Sequence, residues 1–415
     1  MFFIYKVLIN IIFLFSPIII IIRLIKRKEN TKRFIEKFGF FTKKRASGKL
    51  IWFHGASVGE VQSIIPLIEK LEKDKKINQI LITSNTLSSS FIINKLNLRK
   101  TIHQFFPIDC NYISSKFLNY WKPTKAFFVD SEIWPNTINN LFNQKIPIIL
   151  LNGRITKKTY NRWTKFPNFS KFIFSKFSLC LSASNESKKF LKKLGANNVK
   201  FFGNLKFSQS ENQIVKVDKN LRKFLLKKYS WCASSTHYNE EKFCGLTHLE
   251  LKKKYKNLLT IIIPRHIHRV NKISSELNDL GLKVTLHSSK NRKLKNTDIY
   301  LVDSFGETKK FHKISSSVFL GGSIINRGGQ NPLEAARFGA NILHGPDISN
   351  FTDIYKLLKS LNVSRTIYSP KQLASSIRFK KNNNTGIKIK NIGDKILKKT
   401  IKELDKYILN EFKKT

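Results

Sequence analysis

The stretch SVFLGGSIINRGGQNPLEAA, Ser317–Ala336, carries an apolar run into a loop with four glycines and then into a helical pattern opened by Pro332. A short buried strand, a tight glycine-rich turn and a helix with proline near its first turn make the opening of a βα unit. Exposed N–H groups at that helix start form an anion site suited to a nucleotide phosphate. Glu334, about one turn in, is placed to hold ribose hydroxyls. The pattern is neither G-x-G-x-x-G nor a P-loop, so the generic nucleotide motifs do not account for it. A loop that costs this much backbone entropy implies a function.

Similar units extend on both sides of this stretch. Leu259–Ile263, Lys283–Leu286, Ile299–Val302, Ser317–Leu320 and Asn341–Leu343 read as one set of buried strands. Leu50–His54, Gln79–Thr83, Ala126–Asp130, Pro147–Asn152 and Leu179–Ser182 read as another, with helical patterns such as Val61–Leu71 between them. Alternating strands and helices imply βαβ units and parallel sheets. The expected fold is therefore α/β, with two doubly wound Rossmann-like domains facing a cleft. Their sites are expected at the carboxyl ends of the strands. Polar Ser208–Lys219 reads as the linker. Lys380–Asn391 reads as a loop before a final helix that braces one domain on the other. The division is an anchor over 1–28, a first domain over 29–208 and a second over 209–415.

Val7–Ile22 carries no charge. A helix of that length spans about 24 Å at ~1.5 Å per residue, against a hydrocarbon core of roughly 30 Å. Met1–Tyr5 lengthen it and Lys6 can snorkel. Arg23, Lys26, Arg27, Lys28, Lys32 and Arg33 follow, which keeps the body of the chain on the cytoplasmic side. A cleaved signal fits poorly, because the basic cluster follows the apolar run. The expectation is an uncleaved anchor that spans the membrane or lies in its surface.

The 415 residues carry 76 Lys+Arg against 27 Asp+Glu, a formal net charge of +49. This excess suits an anionic partner: nucleic acid, lipid headgroups or a phosphorylated substrate. No DNA-reading motif or aromatic-interleaved basic module accompanies it, which argues against a membrane-tethered nucleic-acid binder. Cys110, Cys180, Cys232 and Cys244 form no close pair, so they read as reduced core thiols and not as a zinc site.

Further strand ends carry chemistry. His54-Gly55-Ala56-Ser57-Val58-Gly59-Glu60 turns from strand to helix and puts Glu60 in the first turn. There the carboxylate either caps the helix or, in a cleft, takes a proton from an attacking hydroxyl. Asp130-Ser131-Glu132-Ile133-Trp134-Pro135 places two acids after a strand, a pairing too sparse for a metal site. Lys206, in Gly203-Asn204-Leu205-Lys206-Phe207, stands beside the linker, where it can meet an anionic donor. Pro264-Arg265-His266 ends a strand with a guanidinium suited to phosphate or carboxylate.

These stretches, in this order, resemble the Kdo transferases of lipopolysaccharide synthesis, a glycosyltransferase family of the two-domain GT-B fold (Kdo is 3-deoxy-D-manno-octulosonic acid). The resemblance runs from RFIEKFGF at Arg33 through HGASVGE, SEIWPN, NGR, GNLKF, SSTH, PRH, DSFGE and GGSIINRGGQNPLEAA to GPDISNF. It implies inverting transfer of Kdo from CMP-Kdo to the lipid A precursor lipid IVA, at the cytoplasmic face of an inner membrane with an anionic surface. It implies neither nucleic acid nor cofactor nor metal. Glu60 matches the family's catalytic base, and Glu132 and Lys206 match positions that stabilise the transition state. Pro264, Arg265, Phe305, Gly306, Glu307, Asn331, Pro332, Leu333 and Glu334 match segments that hold CMP. Backbone N–H groups and Arg265 then suit the departing CMP anion. The sequence departs from the family pattern at Gln330, where His is usual, at Phe305, where Met is common, at Asp130, often Glu, and at Tyr238-Asn239. The alternative within enzymes is another GT-B transferase that uses a UDP-sugar.

Overall fold

The computed structural model describes residues 1–209, 218–289 and 296–409. Most of the expected linker Ser208–Lys219 lies outside the described residues. The chain forms two compact units, Met1–Ser210 together with Ile392–Thr415, and Glu211–Asn391. The last stretch of chain thus belongs to the first unit, whereas the sequence division assigned everything after 208 to the second.

The first unit is built on a seven-stranded sheet: β1 (Leu50–His54), β2 (Gln79–Ser84), β3 (Thr101–Phe105), β4 (Lys125–Val129), β5 (Ile148–Gly153), β6 (Leu179–Ser182) and β7 (Val199–Phe201). Their order is β3-β2-β1-β4-β5-β6-β7, and all pairings are parallel. The order reverses between β1 and β4, the switch point at which doubly wound sheets place their ligands. Helices cover both faces of a parallel sheet, so its strands are continuously apolar; β1, β4 and β5 are buried at every residue. Trp52 anchors the core, 5.0 Å from Phe117 and 5.4 Å from Phe128 between ring centroids.

The second unit repeats the plan with β8 (Tyr229–Thr236), β9 (Leu258–Pro264), β10 (Val284–Leu286), β11 (Ile299–Leu301), β12 (Ser317–Leu320), β13 (Asn341–His344) and β14 (Ser364–Thr366). The order is β10-β11-β9-β8-β12-β13-β14, again parallel, with its reversal between β8 and β12. The fold class is the expected one. The four cysteines are buried and unpaired, as core thiols should be.

The final helix runs Asn383–Leu409 and so begins within the stretch expected as a loop. Its polar Asn-rich start is held by packing: Ile389 is fully buried, and Gly386 has no Cβ to collide with the Arg337 carbonyl. Farther on the helix joins the first unit. Gly393 lets it run against the Phe207 carbonyl, and Glu403 takes Lys200 Nζ at 2.6 Å.

The N-terminal helix, Phe2–Ile25, continues through Pro17. Proline removes the N–H that would serve the carbonyl of Phe13, and Ser16 Oγ supplies the missing bond at 2.6 Å. The less exposed positions are 2, 5, 6, 9, 13, 16, 20, 23 and 24, one stripe at helical spacing. Along that stripe Phe2 meets Phe169 and Phe172, Tyr5 Oη donates to Asp109 Oδ2 at 2.7 Å and Phe13 packs on Phe38, while beside it Cys110 Sγ donates to Asn10 Oδ1.

Candidate active site

In the first unit the ends of β1 and β4 lie side by side. After β1 the chain turns through Gly55 into helix Val58–Leu71, whose N-cap is Ser57. Glu60 closes a capping box: its N–H donates to Ser57 Oγ, and its Oε2 accepts from the Ser57 N–H at 3.4 Å and, in addition, from the Ala56 N–H at 2.7 Å. The Ser57 hydroxyl donates to Oε1 at 2.8 Å. Glu60 is half-buried, and its carboxyl is pushed up to about 7. Burial is the largest cause, then the charges of Glu132 and Asp130; the bonds from Ser57 and Ala56 pull the other way. The helix-capping reading of Glu60 is what the geometry displays. The same side chain is a carboxylate with a proton affinity near neutrality.

Glu132 is held from two sides, by Trp134 Nε1 at 2.9 Å and by His54 Nε2 at 3.2 Å. His54 is fully buried at the last position of β1, and its Nδ1 lies 3.0 Å from Thr83 Oγ1. The imidazole thus bridges Glu132 and Thr83, with Trp134 Nε1 also 3.1 Å from its Nε2 and the Thr83 hydroxyl in reach of the Phe53 carbonyl at 3.3 Å. Trp52 Nε1 donates to Thr83 Oγ1 at 2.9 Å and fixes the hydroxyl in turn.

Asp130 follows β4 with φ 63°, in the left-handed region. Lys206 Nζ donates to its Oδ2 at 2.8 Å. Lys206 is brought there by a short helical turn, Leu205–Ser208, capped by Asn204 and tied to β5 through Leu205 N–H and Asn152 Oδ1 at 2.9 Å. The structure thus brings Glu60, Glu132 and Lys206 to one place. It adds Asp130, His54 and Trp134, to which the sequence alone gave no role. Glu132 and Trp134 are two apart in one motif, a visible hint, but His54 and Glu132 are 78 residues apart and only the sheet order joins them.

In the second unit the corresponding reversal, between β8 and β12, is occupied by Glu240. Its fully buried carboxylate accepts from the N–H groups of His237 at 2.9 Å, Gly322 at 2.7 Å, Ser323 at 3.1 Å and Ile324 at 3.0 Å. Gly321 must be glycine, since a Cβ would sit 2.6 Å from Thr236 Cα and 2.7 Å from Glu240 Oε2. The first half of the glycine-rich loop is therefore filled by a protein carboxylate. Farther along, Asp347 Oδ2 takes the Gly328 N–H at 2.5 Å, and Asn331 Oδ1 takes that of Leu333 at 3.1 Å. The open anion cradle expected from the sequence is in these places closed by the chain's own side chains.

Cations gather beside that loop. Pro264 ends β9, Arg265 is exposed, and its N–H donates to the Thr236 carbonyl at 2.9 Å. His237 is held below the usual imidazole range by burial first, then by the charges of His266, Arg327, Arg265 and Arg269. Its Nε2 is buried and finds no hydrogen-bond partner among the described residues. Gln330 Nε2 approaches to 3.4 Å of the place a Cβ on Gly322 would take. Phe305 is 84% exposed, Gly306 has φ 85°, and Glu307 holds Lys310 at 2.8 Å. The helix that follows, Thr308–Ile314, brings His312 Nδ1 to 2.9 Å from Glu334 Oε1, so the helix after 305–307 meets the 331–334 segment. Burial raises the Glu334 carboxyl, but the His312 bond and the charges of His312, Lys309 and Arg337 outweigh it and leave it below the usual value.

The comparisons with known proteins agree with this geometry. Residues 32–209 match the family described as 3-Deoxy-D-manno-octulosonic-acid transferase (kdotransferase). The chain is 33% identical over 407 residues to a 3-deoxy-D-manno-octulosonic acid transferase of Rickettsia bellii, covering 95% of this chain and 96% of the relative. It is 29% identical to the Haemophilus influenzae transferase of the same name, over 80% of this chain and 79% of that one. Among solved structures, UDP-GlcNAc 2-epimerase from Neisseria meningitidis shares the fold at TM-score 0.52 and 15% identity, covering 85% of this chain and all of that one. With two parallel α/β sheets of this order the architecture is that of the GT-B enzymes. From the R. bellii relative, matched over nearly the whole of both chains, it follows that this chain belongs to the Kdo transferase family, glycosyltransferases of lipopolysaccharide synthesis.

Proposed function

We propose that this chain moves Kdo from CMP-Kdo to a hydroxyl of lipid IVA with inversion at the anomeric carbon, and that Glu60 is the general base. The observation that carries this is the Glu60 carboxyl, half-buried at the β1 end and raised to about 7 by burial and by Glu132 and Asp130. A base poised near the working pH is ionised enough to act and basic enough to take a proton. As the acceptor oxygen bonds to the anomeric carbon, its proton passes to Glu60 and the bond from that carbon to the CMP phosphate breaks. CMP leaves with the electron pair.

Glu132, fixed by His54 and Trp134, keeps negative charge near the base and favours the positive character that develops at the sugar. Lys206 pairs with Asp130 and supplies a cation for the Kdo carboxylate. In the second unit Glu240 already fills the N–H groups of Gly322–Ile324. The departing phosphate therefore depends on Arg265 and the cationic surroundings of His237, and Glu334 serves the ribose. The basic residues after the N-terminal helix favour the cytoplasmic face of the inner membrane. The test is mass spectrometry of lipid IVA incubated with CMP-Kdo and the protein. A Kdo adduct with wild type and none with a folded Glu60→Ala variant is expected. Undiminished transfer by that variant overturns the role of Glu60, and binding of UDP in preference to CMP overturns the donor.

A further inference from the structure

We infer that the N-terminal helix lies in the plane of an anionic bilayer surface, not across it, and that Phe142, Phe166, Phe172 and Lys176 of the first unit share that membrane-facing surface. By length and composition Phe2–Ile25 is able to span. Its contacts forbid this. The stripe that packs against the first unit runs from Phe2 to Leu24, about 33 Å at ~1.5 Å per residue, which is the full thickness of a ~30 Å hydrocarbon core. The partners along it, Phe169, Phe172, Asp109 and Phe38, and Cys110 beside it, belong to the globular unit. Asp109 is fully buried and bonded to the N–H groups of Asn136 and Thr137 as well as to Tyr5. A spanning helix would either carry this polar network into the hydrocarbon or tear itself from it.

The outward face is apolar along its whole length, with Phe3, Leu14 and Ile25 each more than 70% exposed. A helix bound on one side and apolar on the other is suited to the boundary between headgroups and acyl chains. The surface continues from the helix onto the body. Phe2 lies 5.1 Å from Phe172, and Lys176 Nζ sits 4.1 Å from the rings of both Phe172 and Phe142. A recess of about 500 Å³ opens there, walled by Phe2, Phe166, Phe169 and Phe172 with Lys165, offering room for a lipid tail beside a cation for its headgroup. At the other end of the helix Lys26, Arg27, Lys28 and Lys32 are exposed. Cations at both ends of an apolar strip complement a bilayer that carries negative headgroups, and this charge makes the bilayer a better occupant than a second copy of the same basic chain.

The test uses the full chain on vesicles of phosphatidylcholine with one quarter phosphatidylglycerol. Spin labels at Phe3→Cys, Leu14→Cys and Ile25→Cys are expected at one shallow depth, within roughly 10 Å of the headgroups. A Leu14→Cys label at the bilayer centre with Phe3→Cys on the far side overturns the inference. Phe142→Ser combined with Phe172→Ser and Lys176→Ser, in a chain that keeps its melting temperature, is expected to lower partition onto these vesicles about tenfold. Unchanged partition removes the ledge from the proposal. Self-association that buries the labels without vesicle binding assigns the face to a second copy and overturns it as well.

Discussion

Lys206 Nζ and Asp130 Oδ2 are 2.8 Å apart, and both side chains are largely removed from water, at 13% and 7% exposure. The pair joins a motif after the central strand β4 to one after the edge strand β7 and sets a cation beside an acid whose charge reaches Glu60. Removing one partner strands the other. Lys206→Ala is expected to destabilise the protein by about 3 kcal/mol, the lower end for breaking a buried pair, read as a lowered urea midpoint. Lys206→Met with Asp130→Asn is expected to recover most of that stability and none of the activity.

Glu60→Gln separates the two duties of that side chain. The amide oxygen still accepts from the N–H groups of Ser57 and Ala56, so the capping box survives and the melting temperature stays within a few degrees. It cannot take a proton, so kcat is expected to fall by about 10²–10⁴. Glu60→Ala loses the cap as well, at a further cost of about 1 kcal/mol, measurable by thermal unfolding.

The raised Glu60 carboxyl fixes the sign of the pH dependence. Transfer requires the ionised form, so kcat/KM should climb through pH about 7 and level off above it. Stability runs the opposite way. The folded value lies above the ordinary carboxyl value of 4.5, so this group's contribution is fully present below about 4.5 and is lost as pH rises through about 7. Glu132→Gln removes the second cause of the shift and should move the midpoint of the rate profile to lower pH.

Glu240→Ala should leave four buried N–H groups without an acceptor. At ~1–3 kcal/mol for each unsatisfied group, partly relieved by relaxation, a loss of about 4 kcal/mol is expected. CMP binding, measured by titration calorimetry, should vanish with the shape of the loop. Gly321→Ala should abolish CMP binding by the same route, because its Cβ would meet Thr236 and the Glu240 carboxylate.

Arg265 is exposed at the end of β9, so Arg265→Ala should leave unfolding unchanged. Loss of one charge-assisted bond, about 1.5–3 kcal/mol, is expected to weaken CMP by roughly 10- to 150-fold.

Strands such as β1, β4 and β9 are readable in the sequence because a parallel sheet covered on both faces demands an unbroken apolar run. β3 and β8 are not. β3 buries His103 and Gln104. The sequence of β8, YSWCASST, is mostly small and polar, yet it lies at the centre of its sheet between β9 and β12. Its serines and threonine are suited to a crowded crossing point where bulk has no room, and short-range patterning does not report that. The candidate site divides in the same way. Glu60, Glu132 and Arg265 announce themselves by standing at strand ends. The clasp of His54 on Glu132 and the occupation of the glycine-rich loop by Glu240 arise from strand order, which no local window contains.

The return of the final helix to the first unit has a consequence for the order of synthesis. The seven strands of the first sheet are complete when β7 emerges, but the residues that engage Lys200 and run along Phe207 are made only after the second unit. The first unit leaves the ribosome with part of its cover missing and stays open until the whole second unit has been translated. Early truncations that spare every candidate catalytic residue should therefore damage the half of the protein that was finished first.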